Sequence, residues 1–115
     1  MKLIFDSCSL ISASKFELEN RLILDYILDI AEIYIPEEVK RETTQAHKKY
    51  KDAQEIRQRI QKGDIKVHQV TWHKEILVDL DGYKIDSGEK ETILLYLENK
   101  GFDFIIIDDY LAFIV

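Results

Sequence analysis

The sequence has little cysteine, proline or glycine. Its 115 residues include one cysteine, one proline and four glycines. A single cysteine, Cys8, excludes an internal disulfide and favours a reducing compartment, so the expected location is the cytoplasm. No apolar stretch is long enough to cross a bilayer, and the opening MKLIFD reaches an acid at residue 6, unlike a signal peptide. We therefore expect one soluble domain over residues 1–115, with no membrane partner.

Other common functional signatures are also missing. The four glycines are scattered and look like turns or helix ends, so there is no glycine-rich loop to hold the phosphates of a nucleotide cofactor. The three histidines lack the spacing of metal ligands, and we interpret them as structural or surface residues. They are His47, His68 and His73.

Acids outnumber basic residues by 22 to 16, but the basic residues are concentrated in one segment. The formal net charge is −6. Residues 40–62 contain eight Lys or Arg and three acids, a net +5, which leaves −11 for the rest of the chain. Two interpretations remain open for this segment. It is either a solvated, salt-bridged helical surface, or a phosphate-binding surface beside an acidic site.

Strand-like and helix-like patterns alternate along the chain. Apolar runs predict strands, and amphipathic or capped stretches predict helices, which together indicate an α/β fold with a central parallel sheet. The predicted strands cover 2–5, 33–35, 65–70 and 102–107. The predicted helices start at Ser7 or Ser9 as the cap, cover 21–32, run from Pro36 to Lys62 in one or two pieces, and cover 71–80 and 86–100, with a turn at 81–84.

Acids follow the first and the last predicted strand. Asp6 comes directly after KLIF, and Asp108 and Asp109 come directly after FDFIII. In parallel sheets, ligands bind beyond the carboxyl ends of the strands. If the two strands are neighbours, the three carboxylates meet at one edge of the sheet and need a compensating cation, donor or proton.

Two further acids lack a simple structural explanation. Glu42 shares an inward helical row with Val39 and Ala46, and Glu91 borders an apolar helical stripe. Helix dipoles and a capping box account for the other acids near them, which are Glu37, Glu38, Asp86 and Glu89. A cluster of carboxylate oxygens suits Mg²⁺ or Mn²⁺. The candidate ligands are Asp6, Glu42, Glu91, Asp108 and Asp109.

Four segments in order resemble the PIN-domain family, in particular its small prokaryotic members, the VapC-like toxins and their relatives. They are KLIFDSCSLIS, EIYIPEEVKRE, DSGEKETILLYLE and FDFIIIDDYLA. The resemblance implies a three-layer α/β/α fold and a metal-dependent ribonuclease. Its catalytic positions fall on Asp6, Glu42, Glu91 and Asp109, with Asp108 beside them and Thr92 where the family usually has alanine. It also implies an antitoxin protein as inhibitor and a homodimer.

The chain departs from the family pattern at its end. Family members usually continue past the last acid through a helix and a short strand, whereas this sequence stops at YLAFIV. Either the protein is truncated, or the sequence in hand is, or a partner covers the apolar end. A missing final helix would loosen Asp109 and leave an apolar patch exposed. This departure keeps a second hypothesis open, a degenerate domain that binds RNA or protein without cleaving. A third, a phospho-receiver domain, lacks its acceptor aspartate and its late lysine.

Overall fold

A computed structural model describes residues 1–70, 87–98 and 101–107, without the side chains of 87–90. Strands and helices alternate, as the sequence patterns predict. In chain order the elements are β1 (Lys2–Phe5), α1 (Ser7–Lys15), β2 (Glu17–Leu18), β3 (Arg21–Leu22), α2 (Ile23–Ile30), β4 (Glu32–Pro36), α3 (Glu37–Thr44), α4 (Lys51–Lys62), β5 (Ile65–His68), α5 (Ser87–Glu98) and β6 (Phe104–Ile106).

Four strands form a parallel sheet in the order β5-β4-β1-β6. β1 lies inside the sheet, with Leu3 opposite Ile33 of β4 on one side and opposite Phe104 of β6 on the other. The first and last predicted strands are therefore neighbours. All carboxyl ends point the same way, so the residues that follow β1 and β6 emerge at the same edge.

Alternate residues of the inner strands face two different helical layers, because side chains in a strand alternate between its faces. Leu3 and Phe5 pack in a cluster with residues of α1, α2 and α4. Ile4 and Tyr34 pack in another cluster with Leu95 of α5. Helices thus cover both faces, and the fold is the three-layer α/β/α arrangement with a central parallel sheet.

The helix starts differ slightly from the predicted ones. Asp6, rather than Ser7 or Ser9, is the N-cap of α1, and its side chain accepts a hydrogen bond from the Ser9 amide. The basic segment divides into α3 and α4, and α4 ends at Gly63, whose φ of 84° is in the left-handed region that glycine adopts without strain.

One element was not predicted. β2 and β3 form a short antiparallel hairpin around Glu19 and Asn20, whose φ values of 53° and 64° are both positive. The predicted helix over 21–32 is therefore confined to Ile23–Ile30. The helix predicted over 71–80, the turn at 81–84 and Asp86 lie outside the described residues.

Candidate active site

Asp6 lies at the carboxyl end of β1 and is completely buried, with 0% exposure. Its Oδ1 accepts a hydrogen bond of 2.8 Å from the Ser9 amide, which caps α1. Its own amide donates to the carbonyl of Ile106 at the end of β6, at 3.0 Å. Capping alone would explain an acid here, but caps are normally solvated and fully buried aspartates are rare. The two strand ends therefore hold this carboxylate inside the molecule.

Glu42 of α3 faces the start of α1. The hydroxyl of Ser7 donates to Glu42 Oε1 at 3.2 Å, and both side chains are half-buried. Val39, one turn earlier on α3, is fully buried and fixes that helix against the core. The structure thus brings Glu42 next to the residue that follows Asp6, as expected for a site at this edge of the sheet.

Glu91 of α5 lies near the first turn of the same helix, because α3 packs against α5. Burial raises the pKa of the Glu91 carboxyl above its usual range, and the charges of Glu38, Glu37 and Glu42 raise it further. A hydrogen bond from the backbone amide of Glu38 acts in the opposite direction on this pKa. Glu91 is therefore a half-buried acid crowded by other acids, an arrangement that a cation would stabilise.

Two charged residues beside these acids, Arg41 and Glu38, were not among the candidates from the sequence. Arg41 forms a salt bridge with Glu38, and Glu42 and Glu91 also contribute to the raised pKa of its guanidinium. Arg41 is thus a positive charge beside the acidic cluster, which consists of Glu37, Glu38, Glu42 and Glu91. The helix dipole had seemed a sufficient explanation for Glu38, and the i,i+3 spacing of Glu38 and Arg41 was the available signal.

The predicted ligand set extends beyond the described residues. Asp6, Glu42 and Glu91 are described, and Asp108 and Asp109 are not. Within residues 1–70, 87–98 and 101–107, no group of three or more His, Cys, Asp or Glu side chains has the arrangement of a metal site. The donor chemistry nevertheless fits a hard cation, because all three described candidates are carboxylates and Glu91 is crowded by like charge.

Comparison with known proteins identifies the class of this fold and site. A family model described as a PIN domain matches residues 2–114, nearly the whole chain. The chain therefore belongs to the PIN-domain family, which is a nuclease-type domain. A search of curated proteins finds no match to this chain.

The helices were also compared with the length and apolarity that a membrane span requires. Among the helices of the described ranges, none is long and apolar enough to cross a bilayer.

Proposed function

We propose that this protein is a metal-dependent ribonuclease that hydrolyses RNA phosphodiester bonds at the carboxyl edge of its sheet. The observation that supports this most is the crowding of acids from separate elements in a PIN-domain chain. Asp6 is buried at a strand end, and Glu42 and Glu91 approach from α3 and α5.

The residues proposed to hold Mg²⁺ or Mn²⁺ are Asp6, Glu42, Glu91, Asp108 and Asp109. A divalent ion bound there would activate a water for attack on phosphorus and would stabilise the negative charge of the transition state. Ser7 orients Glu42 through its hydroxyl, and the helix cap fixes the Asp6 carboxylate. Arg41 offsets part of the repulsion among the acids in the absence of substrate.

The first test is RNA cleavage by the purified chain. A mixed RNA pool is incubated with Mg²⁺, with Mn²⁺ or with EDTA, and with the variant Asp6→Asn. Asparagine caps helices as well as aspartate does, so this variant keeps α1 while changing the carboxylate. Loss of residues that merely orient metal ligands costs 10- to 100-fold, so we expect cleavage to fall by at least about 100-fold.

The matched control is Asp64→Asn, which changes an exposed aspartate in the loop after α4. We expect this variant to cleave like the wild type, and EDTA to stop cleavage by both. If the folded wild-type chain cleaves no RNA in either metal but still binds it, the alternative of a non-cleaving RNA-binding PIN domain replaces the proposal.

The resemblance extends the proposal to partners. We propose that the protein acts in the cytoplasm as the toxin of a toxin–antitoxin pair, is inhibited by an antitoxin protein and forms a homodimer. An apolar groove of about 530 Å³ between helices α1 and α2 and the face of strands β1 and β6 offers a surface of the kind that protein partners cover. Its lining includes Phe16 and Ile30, which are 64% and 68% exposed.

A further inference from the structure

The basic side chains of the segment 40–62 are of two kinds, those in a salt bridge and those without one among the described residues. Arg41 pairs with Glu38, and Arg59 pairs with Asp25 and Glu55. The other six basic side chains of the segment form no salt bridge within the part of the chain that the structure describes. They are Lys40, Lys48, Lys49, Lys51, Arg57 and Lys62. Salt bridges within the described residues therefore account for two of the eight cations, and the other six are available to solvent or to a ligand.

Two of these cations line one groove. Lys40 of α3 and Arg57 of α4 face each other across a groove of about 390 Å³, together with His47. Thr44 and two amide residues, Gln45 and Gln61, also line it. No acid lines this groove among the described residues. Positive charge and amide N–H groups bind phosphate oxygens, and no carboxylate among the described lining residues repels them.

The groove and the acidic cluster lie on opposite flanks of the same helix. Lys40 and Thr44 are one turn apart and line the groove, whereas Glu42 is rotated by about 200° from Lys40 at 100° per residue and contacts Ser7. The separation is therefore about the diameter of one helix, ~10 Å. A single nucleic-acid strand that crosses α3 can occupy both places at once.

We infer that the groove formed by Lys40, His47 and Arg57 binds backbone phosphates of the RNA strand flanking the cleaved bond. The inference rests on the proposed function, because it assigns a path to the substrate of that same site. These are positioning residues that hold the strand. The phosphate contacts are independent of base sequence, so the groove fixes the register of the strand relative to the acids.

The test measures binding of a single-stranded RNA by fluorescence anisotropy in EDTA, at several salt concentrations. The groove variant is Lys40→Gln with Arg57→Gln. The control is Lys2→Gln with Lys15→Gln, which removes the same charge at the start of β1 and the end of α1. Each lost phosphate contact lowers the salt slope of a single strand by about 0.7. We expect the groove variant to lower the slope by about 1.4 and weaken binding about tenfold at 0.15 M salt, and the control to change neither.

Cleavage kinetics in Mg²⁺ separate this inference from the nuclease proposal. Loss of uniform binding should raise KM about tenfold and leave kcat within about twofold of the wild type. If the groove variant and the control bind RNA equally well, the inference is wrong and the nuclease proposal is unaffected. That result is expected if the groove binds an acidic protein segment instead. A groove-specific binding loss in a chain that never cleaves supports the groove and overturns the nuclease. Circular dichroism confirms that both double variants are folded.

Discussion

At the scale of single residues, Asp25 shows how a partly buried charge stabilises this fold. Arg59 of α4 donates two hydrogen bonds to the Asp25 carboxylate of α2, from Nε at 2.9 Å and from Nη2 at 2.8 Å. The same guanidinium also donates to Glu55. These hydrogen bonds are the main reason that the pKa of Asp25 is lowered from its usual range. The pair joins two helices of the same layer.

Replacing Asp25 by asparagine should lower the free energy of unfolding by about 1–2 kcal/mol at pH 7, because it removes the charge from a bidentate pair with only 29% of the side chain exposed. Because the folded-state pKa of Asp25 is lower than the unfolded value of 3.8, the ionised carboxylate stabilises the fold above that pH. This stabilisation is lost as the pH falls through the folded-state pKa. The difference from the wild type should therefore shrink below about pH 4. Urea unfolding at several pH values measures this.

The control is Asp29→Asn, which changes an aspartate paired with Arg21 where both side chains are about half exposed. Solvent screens such pairs, so little change in unfolding free energy is expected. Equal effects of the two substitutions at pH 7 would show that burial of the Asp25 pair contributes nothing.

The sequence singled out the acids at the strand ends as candidates, but it predicted only part of what each side chain does locally. Asp6 was a candidate because an acid follows an apolar strand. Its role as helix cap was assigned to Ser7 or Ser9, since all three residue types cap helices and the exact helix start is a matter of one or two residues. The salt bridge between Arg41 and Glu38 follows from their i,i+3 spacing. The effect of Glu91 on Arg41 depends on where α5 packs, which local patterns do not contain.

At the scale of elements, periodicity predicted most of the strands and helices, and the hairpin was the exception. Two-residue hairpins with both central residues at positive φ usually contain glycine, as in Asn-Gly. Here the two positions are Glu19 and Asn20, so the usual signal is absent. The apolar run that follows then favoured an early start for α2.

Helix α5 offers a prediction about packing, because neighbouring leucines differ completely in burial. Leu95 is 0% exposed and packs with Ile4 and Tyr34 on the sheet, whereas Leu97 is 54% exposed. Leu95→Ala should lower the unfolding free energy by about 2–5 kcal/mol, and Leu97→Ala by less than about 0.5 kcal/mol. Chemical denaturation followed by circular dichroism compares them. A similar cost for both would mean that α5 does not cover the sheet as described.

At the scale of the whole molecule, the proposed homodimer predicts a mass. Light scattering of the purified chain should give twice the mass of one chain. The physical reason is the exposed apolar surface around the groove lined by Phe16 and Ile30, since large apolar patches on soluble domains are usually covered. A mass of one chain over a wide concentration range would contradict the dimer and leave the fold and the nuclease proposal unaffected.

The prediction that acids meet at one edge of the sheet has a general reason at this scale. Parallel strands place their carboxyl ends at one edge, so acids after neighbouring strands come together whatever their separation in sequence. The order β5-β4-β1-β6 makes β1 and β6 such neighbours. The neighbour relation itself came from the family resemblance and the structure, because no local feature of either strand specifies its partner.

The same strand order has a consequence for how the protein is made. β1 leaves the ribosome well before β6, one of its two partners, and the hydrogen bond between Lys2 and Asp103 spans 101 positions. The sheet cannot be completed until translation has passed residue 106. A chain from a message interrupted before residue 104 lacks β6, so the sheet edge beside Asp6 is not built. Under the proposed function, such a chain would also lack Asp108 and Asp109 and would not cleave RNA.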